Sequence, residues 1–229
     1  RYVCGRNKQI AEMLNQISPP PLEAAEHVCF LAEEVITTKR VEVMYFILAD
    51  HINFAVQRAR DGLNLSVPFL PDLKEFYPVE YKVGLYARQC TSSVFDVILP
   101  EDEAGFVCMH LIAMGYHEKT SNIASIVAVT KISLDYILGH YSDELPKGTL
   151  AYRRLITHMK FFAQRYVENK EDDRADETLD ETIDRAFAEE ASCISGLSDI
   201  LQTQFNREVS RSEKNYIVLH LRNCLNVKK

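Results

Sequence analysis

Histidine stands at matched positions in two related parts of this sequence. Residues 51–58 (HINFAVQR) and 158–165 (HMKFFAQR) share histidine, phenylalanine, glutamine and arginine at the same offsets. Residues 103–111 (EAGFVCMHL) and 213–221 (EKNYIVLHL) match in the same way, and each contains a further histidine. Corresponding histidines lie 107 and 110 residues apart, so the chain contains a duplication. Each copy carries one pair of histidines: His51 with His110, and His158 with His220.

Three interpretations fit a repeated histidine pair, and the first is structural. A histidine on a half-apolar helical face most often satisfies a buried hydrogen bond at a helix–helix contact. The duplication does not exclude this interpretation, because a structural histidine is copied together with its surroundings.

A metal site is the second interpretation, because imidazole is a good zinc ligand. Such a site needs three or four ligands, and the matched acids are Glu103 and Glu213. Each acid stands seven residues before the second histidine of its copy. That spacing is ~10 Å along a helix, which is too far to share one ion without another contributor. The sequence therefore assigns no metal ligand and no cofactor.

Reversible phosphorylation on histidine is the third interpretation. An imidazole with a pKa near neutrality is a competent nitrogen nucleophile at the pH of the cell. Arg58 and Arg165 follow the first histidine of each copy by two helical turns on the same face. They are candidates to receive or shield the added charge. An ordinary salt bridge to a neighbouring acid is an equally good interpretation of both arginines.

The bulk composition favours a helical, acidic protein. The chain has 229 residues, 47% of them hydrophobic, which is enough for two packed domains. Glycine and proline are few, at eight each, and alternating β-branched runs are scarce, so helices are favoured over sheets. The net charge of −7 argues against this chain gripping a nucleic-acid backbone by itself.

Cysteine usage and hydropathy predict a cytoplasmic protein. None of the six cysteines forms a C-x-x-C, and Cys29, Cys108 and Cys193 fall among apolar residues, as small core residues do. No uninterrupted apolar run approaches ~18 residues, so no membrane insertion is predicted. Because the chain begins with Arg1 rather than methionine, we expect it to be a piece of a longer protein.

Hydrophobic spacing and end signals predict the helices of the first copy. Helices are expected over residues 22–37, 41–61, 81–94 and 99–114, with a loop and a short helical piece over 63–79. Gly62 and Gly115 are expected to close the second and the last of these helices. His51 lies beside the buried stripe of one helix, and His110 lies inside the other.

The same signals predict the second copy. Helices are expected over residues 123–141, 148–169, 181–205 and 210–226, with an inter-domain linker at 116–122 and a charged loop at 170–177. Residues 181–205 are expected to form one long helix. Ser210 and Glu213 have the spacing of a capping box at the start of the last helix.

These elements predict an all-α fold with two homologous helical bundles in tandem, each of four to five helices. The histidines lie on the second and the last helix of each bundle. The expected divisions are a linker at 1–19 that ends an N-terminal domain, a first domain at 20–119 and a second at 120–229.

Four segments of the sequence resemble one known family. They are residues 50–55 (DHINFA), 100–110 (PEDEAGFVCMH), 157–165 (THMKFFAQR) and 213–220 (EKNYIVLH). These segments are similar to the tandem PTS regulation domains of BglG/SacY/LicT-type transcriptional antiterminators. The resemblance extends over roughly residues 20 to 229, and all four histidines stand at the family's intervals.

The resemblance implies a regulatory role for the histidines. In the family, the phosphocarrier HPr and a sugar-specific enzyme II of the phosphotransferase system transfer phosphate to them. Carried over, His51 and His110 are the inhibitory pair, and His158 and His220 are the activating pair. The chain is then a substrate of phosphotransfer and not an enzyme. Asp50 precedes His51 and is a candidate to orient it, whereas Thr157 occupies that place in the second copy.

The resemblance also implies the partners and the mechanism. Family members are homodimers whose N-terminal domain binds RNA, and residues 1–8 are expected to be the last strand of that domain. Phosphorylation is expected to change the dimer arrangement and so to control RNA binding. The alternatives are a DNA-binding activator with the same regulation domains and a helical metalloenzyme. The remaining histidines match no acceptor of the family: His27, His117 and His140.

Overall fold

The computed structural model describes residues 19–35, 41–115, 120–170 and 177–225. Within these ranges the regular structure is α-helical, which confirms the predicted all-α fold. The helices are α1 (Pro19–Val35), α2 (Val41–Arg60), α3 (Leu70–Phe76), α4 (Pro78–Phe95), α5 (Asp102–Gly115), α6 (Thr120–Tyr141), α7 (Leu150–Glu168), α8 (Glu177–Ala186), α9 (Ala188–Phe205) and α10 (Arg211–Leu225). The expected strand at residues 1–8 lies outside the described residues, as do Cys4 and His117.

The chain divides between Ile123 and Ala124 into two compact units. The first unit contains α1 to α5, and the second begins inside α6 and contains α7 to α10. His51 and His110 lie on α2 and α5, and His158 and His220 lie on α7 and α10. In both units the pair therefore joins the second helix to the last one.

The core of the first unit is built where α1 packs on α2 and α4, and where α2 and α4 both pack on α5. Along α2, Leu48, Ile52 and Val56 recur every fourth residue and are at most 3% exposed. This spacing places them on one face of the helix. His51 precedes Ile52, so its ring lies at the edge of the buried stripe, next to α5.

Gly84 allows α4 to lie unusually close to α5. A Cβ atom built on Gly84 would lie 2.2 Å from the backbone oxygen of Ala104. No side chain fits there without a backbone shift, because backbone cannot rotate away as a flexible side chain can. This contact fixes the start of α5, where Glu103 lies.

The second unit packs α7 and α9 against α10, and α8 contacts both α9 and α10. On α7, Leu155, Met159 and Phe162 are fully buried, and on α10 Ile217 and Leu221 are fully buried. Because these residues have helical spacing, each helix buries one stripe and leaves its histidine at the stripe's margin.

The end of α2 follows its predicted signal, and α7 has caps at both ends that the sequence did not predict. α2 ends at Arg60, and Gly62 follows with φ of 69°, a conformation that glycine adopts readily. At α7 the side chain of Thr149 accepts a hydrogen bond of 3.2 Å from the backbone N–H of Tyr152. Asn169 ends α7 with φ of 58°.

The predicted single helix over residues 181–205 is wrong. Two helices, α8 and α9, meet at Phe187, whose backbone is not helical (φ −134°, ψ 49°). Backbone hydrogen bonds are kept on both sides of the break. The Phe187 N–H donates to the Ile183 carbonyl and the Ala191 N–H donates to the Phe187 carbonyl, both at 2.8 Å. The guanidinium of Arg222 on α10 lies 5.7 Å from the Phe187 ring. No glycine or proline stands at the break, so the local sequence predicts one continuous helix. We attribute the break to the packing of Phe187 against α10.

One smaller expectation also needs correction. The linker expected over residues 116–122 is shorter, because α6 begins at Thr120. At the start of α10 the Glu213 N–H donates to Ser210 Oγ at 3.3 Å, as the predicted capping box requires. The Glu213 carboxylate also binds Arg165 on α7.

In the described part of the chain, one helical segment is long and apolar enough to cross a membrane by length and composition, at Asn122–Tyr141 with a mean hydropathy of 1.3. The sequence prediction missed it because Lys131 and Asp135 interrupt the apolar run. Several of its side chains are at most 1% exposed: Ile123, Ile126, Val127, Val129, Leu134 and Ile137. The core helix of a folded domain meets the same criteria.

Candidate functional site

The first histidine pair forms where α2 crosses α5. The ring centroids of His51 and His110 are 5.3 Å apart, and the ring planes meet at 62°, an edge-on arrangement. Phe106, one turn before His110 on α5, lies 5.9 Å from the His51 ring. The His51 side chain is 11% exposed, so this ring is largely enclosed by the two helices.

Glu103 lies between His51 and Arg58. Its Oε2 atom is 3.1 Å from His51 Nε2, and both of its oxygens accept hydrogen bonds from Arg58 Nη2, at 2.9 and 3.0 Å. His51 Nε2 is buried and is not aligned with the carboxylate as a hydrogen-bond donor, so this contact is mainly electrostatic. Burial favours the neutral acid, but the contacts with His51 and Arg58 outweigh it and lower the pKa of Glu103.

His110 is held neutral. Burial, aided by the nearby charge of His51 when protonated, lowers the pKa of His110 from 6.5 to about 4. At neutral pH the His110 ring therefore keeps an unprotonated nitrogen, as a nucleophile requires.

The second histidine pair forms where α7 meets α10 and has a different geometry. The rings of His158 and His220 stack, with centroids 3.5 Å apart and planes within 24°. Tyr216, one turn before His220, places its hydroxyl oxygen 3.0 Å from His158 Nδ1. The Tyr216 ring lies 4.3 Å from the His220 ring, so three rings form one cluster.

The acid and the arginine of the second unit pair with each other. Glu213 is 4% exposed, and its two oxygens accept hydrogen bonds from Arg165 Nε at 2.5 Å and Arg165 Nη2 at 2.7 Å. This is the two-point geometry in which guanidinium binds carboxylate most strongly. The Arg165 guanidinium also lies 4.5 Å from the centre of the Tyr216 ring. The hydrogen bonds that Arg165 donates to Glu213 raise the pKa of Arg165.

Both histidines of the second pair are also shifted towards the neutral form. Burial lowers the pKa of His158, and the charges of His220 and Arg154 add to this effect. Burial and the charge of Arg165 lower the pKa of His220. Both rings remain partly exposed, so a neutral imidazole pair stands at the margin of the second unit.

The structure brings together most of the residues singled out in the sequence. Each histidine pair is assembled within its own unit, and Arg58 and Arg165 each lie at the matching site. Both arginines form the salt bridge that the sequence left open as an alternative, but with an acid on another helix. Among the described residues, no hydrogen bond or ion pair joins Asp50 to His51.

Four further residues belong to the sites but were not predicted as phosphorylation-site residues: Glu103, Glu213, Phe106 and Tyr216. The signal was available, because these positions recur in the duplicated segments. For the two acids, the spacing along α5 and α10 gives only the distance to the histidine on the same helix. The relevant partner of each acid lies on the other helix, at His51 or Arg165.

The described residues contain no group of three or more histidine, cysteine, aspartate or glutamate side chains arranged to hold a metal ion. His140 Nδ1 donates a hydrogen bond of 2.9 Å to the backbone oxygen of Tyr136, within its own helix. His27 is exposed on α1.

Comparison with known proteins gives one family and several relatives. The PRD domain matches residues 28–114 and again residues 132–223. Transcription antiterminator LicT of Bacillus subtilis (strain 168) is 29% identical over 219 residues, which are 94% of this chain and 79% of the relative. The beta-glucoside operon antiterminator of Dickeya chrysanthemi is 24% identical over 217 residues, which are 93% of this chain and 75% of the relative. Protein GlcT of Staphylococcus aureus (strain JH9) is 27% identical over 174 residues, which are 76% of this chain and 61% of the relative.

Each match to the PRD domain contains one histidine pair with its acid and its arginine, which agrees with the resemblance found in the four sequence segments. The two matches together account for most of the chain. This chain therefore belongs to the PRD domain family and carries the domain twice.

Proposed function

We propose that this chain is the regulatory region of a transcriptional antiterminator, controlled by reversible histidine phosphorylation through the sugar phosphotransferase system. One observation carries the proposal: each unit holds two neighbouring imidazoles on two helices, and burial lowers the pKa of three of the four. Neutral imidazoles at a unit's margin suit phosphoryl acceptance. The names of the antiterminator relatives supply the biological setting.

In this proposal the acceptors are His51 and His110 in the first domain and His158 and His220 in the second. The phosphocarrier HPr and a sugar-specific enzyme II are the donors. Phosphate on the first pair inhibits, and phosphate on the second pair activates. The chain is a cytoplasmic substrate of phosphotransfer rather than an enzyme, and RNA is bound by a domain outside residues 1–229.

The buried acid–arginine pairs explain how a phosphoryl group changes each site. A phosphoryl group adds nearly two negative charges at neutral pH. At the first site that charge arrives beside Glu103, which is 3% exposed and already bound to Arg58. At the second site it competes with Glu213 for Arg165. At each site the acid repels the phosphoryl group and the arginine attracts it. The acid and the arginine lie on the two helices that carry the histidines, so the contact between those helices has to rearrange.

The rearrangement is proposed to act on a homodimer. Phe54 and Phe161 each stand three residues after the first histidine of their unit and are 50% and 46% exposed. Exposed aromatic side chains next to a charge-switched site are typical of protein–protein contacts. Moving a dimer from mostly one arrangement to mostly the other requires ~5 kcal/mol of differential stabilisation, which several charge-assisted hydrogen bonds supply.

Labelling of the purified chain with phosphoenolpyruvate, enzyme I and HPr tests the proposal. We expect intact-mass analysis to show added phosphoryl groups, and peptide mapping to place them on His158, His220 or both. His158→Ala with His220→Ala is expected to abolish this label, whereas His140→Ala, on α6 and outside the sites, is expected to leave it unchanged.

The dimer switch needs its own measurement. His158→Asp with His220→Asp places negative charge at the second site, and analytical ultracentrifugation is expected to show a tighter dimer. Labelling that survives the double alanine variant contradicts the assignment of acceptors. Unchanged sedimentation of the aspartate variant contradicts the switch.

A further inference from the structure

The first histidines of the two units contact their neighbouring side chains through different ring nitrogens, Nε2 in His51 and Nδ1 in His158. We propose that His158 accepts a phosphoryl group on Nε2, whereas His51 accepts one on Nδ1, and that Tyr216 is the positioning residue that sets this difference. Phe106 occupies the matching position in the first unit. The choice of nitrogen deepens the proposed function and rests on it.

In the second unit Nδ1 of His158 is the occupied nitrogen. It lies 3.0 Å from the Tyr216 hydroxyl oxygen, a normal hydrogen-bond distance. Two arrangements fit this distance, and we assign the one in which the Nδ1–H tautomer donates to the hydroxyl oxygen rather than the one in which the hydroxyl donates to Nδ1. Nε2 then keeps its lone pair, which makes it the nucleophilic nitrogen of the ring.

The Tyr216 side chain is itself held in place. The Arg165 guanidinium lies 4.5 Å from the centre of its ring, and Arg165 is fixed in turn by its two hydrogen bonds to Glu213. Those hydrogen bonds engage both oxygens of the carboxylate. The acid is therefore bound to its arginine while the phenol, and not the acid, contacts His158.

In the first unit Nε2 of His51 is the nitrogen that faces inward. It is buried and lies 3.1 Å from Glu103 Oε2. A carboxylate at this distance favours a proton on the facing nitrogen, and a protonated ring nitrogen has no lone pair to attack phosphorus. The carboxylate also repels an incoming phosphoryl group. Phe106 has no hydroxyl to engage Nδ1, so Nδ1 remains as the nucleophile.

The same exchange balances at both sites with a phosphohistidine donor. The lone pair of the acceptor nitrogen forms the new N–P bond while the N–P bond of the donor breaks. The donor ring carries a proton on its other nitrogen, so with the electron pair of the broken bond it leaves as neutral imidazole. The acceptor ring takes over the positive charge and becomes a phosphorylated imidazolium. No proton is transferred: His158 keeps its proton on Nδ1 towards Tyr216, and His51 keeps its proton on Nε2 towards Glu103.

Tautomers of the unphosphorylated chain give a test that needs no phosphate. ¹⁵N-histidine NMR at about two pH units above the ordinary imidazole pKa reads which nitrogen of each neutral ring is protonated. We expect the Nδ1–H tautomer at His158 and the Nε2–H tautomer at His51. Tyr216→Phe is expected to remove the preference at His158 and leave His51 unchanged. Tyr86→Phe, an exposed tyrosine of α4, is the matched control and is expected to change neither ring.

Phosphorylation then reads the acceptor nitrogen directly. After labelling with phosphoenolpyruvate, enzyme I and HPr, with the sugar-specific enzyme II added to label the first pair, ³¹P–¹⁵N correlation spectra distinguish phosphate on Nε2 from phosphate on Nδ1. We expect Nε2 at His158 and Nδ1 at His51. Tyr216→Phe is expected to slow labelling of His158 by about fivefold, the factor that one lost hydrogen bond accounts for, and to mix the two isomers.

The outcomes separate this inference from the proposed function. Two results overturn the inference while the proposed function stands. They are phosphate on Nδ1 of His158, and a His158 tautomer that is unchanged by Tyr216→Phe. A chain that takes up no phosphate overturns the proposed function. In that case the tautomers still decide whether Tyr216 positions His158, because they are measured without phosphate. His51 and His158 in the same tautomer also overturn the inference.

Discussion

The two units build the same set of residues into two different sites. In the first unit the histidine rings meet edge-on at 5.3 Å, and Glu103 contacts both His51 and Arg58. In the second unit the rings stack at 3.5 Å, Tyr216 contacts the histidine, and the acid binds its arginine at two points. A duplicated scaffold therefore preserves which helices meet but not which atoms meet.

Burial differs together with geometry. Burial lowers the pKa of His110 to about 4. The pKa of His220 is also lowered, but its ring lies beside the Tyr216 phenol and near Arg165. The first site resembles a closed contact between helices, and the second an aromatic cluster at a unit's margin. Because the two sites differ, we expect three changes to affect the stability of the two units unequally. These changes are acidification, loss of the arginine and exchange of the aromatic residue.

Acidification is expected to have the largest effect, and mainly on the first unit. The folded-state pKa of His110 lies at about 4, below the ordinary value of 6.5, so below pH 6.5 the unfolded chain binds the proton more readily. The stability contributed by the neutral ring is complete above that pH and is lost as the pH falls towards 4. The loss is about 3 kcal/mol at 1.36 kcal/mol per pKa unit.

Urea unfolding followed by pulsed hydrogen exchange and mass spectrometry checks this, because α5 and α10 peptides report the two units separately. His110→Gln is expected to flatten the pH dependence of α5 protection between pH 6.5 and 4. A slope that survives His110→Gln, or an equal slope in α10, contradicts the contrast between the units.

Loss of the arginine is expected to rank second and to affect the second unit more. Arg165→Ala leaves Glu213 buried without its cation, which lowers the free energy of unfolding of the second unit by about 2–3 kcal/mol. Arg58→Ala is expected to cost the first unit about 1–2 kcal/mol, because Glu103 keeps its contact with His51. The same unfolding measurement reads both, with the exposed Arg153→Ala as the control.

Glu213→Gln in the Arg165→Ala background sharpens this prediction. Removing the buried charge as well is expected to restore part of the stability, because the penalty comes from an unpaired carboxylate. Equal losses for Arg58→Ala and Arg165→Ala are the result that breaks the contrast.

Exchange of the aromatic residues is expected to have the smallest effect on stability. Tyr216→Phe removes one hydrogen bond to His158 and is expected to lower the stability of the second unit by about 1 kcal/mol. Phe106→Tyr is expected to change the free energy of unfolding of the first unit by less than about 0.5 kcal/mol, because Phe106 is partly exposed and the added hydroxyl can reach water. Thermal unfolding compared with the parent chain measures both. A larger loss for Phe106→Tyr reverses the expected order.

The sequence predicted the scaffold well because the scaffold depends on repeated local signals. Helical spacing along α2 and α7, Gly62, and the duplicated histidines required no knowledge of other helices. The break at Phe187 was missed because its cause is the packing of α8, α9 and α10. The roles of Glu103 and Tyr216 were missed for the same reason, since their partners lie 52 and 58 residues away in sequence.

The contrast between the sites comes down to very little chemistry. Phe106 and Tyr216 differ by a single oxygen atom, and phenylalanine and tyrosine codons differ by a single base. A hydroxyl can therefore be gained or lost at this place without repacking either bundle. After the duplication, each half was free to acquire its own chemical signature in one evolutionary step while keeping a common architecture.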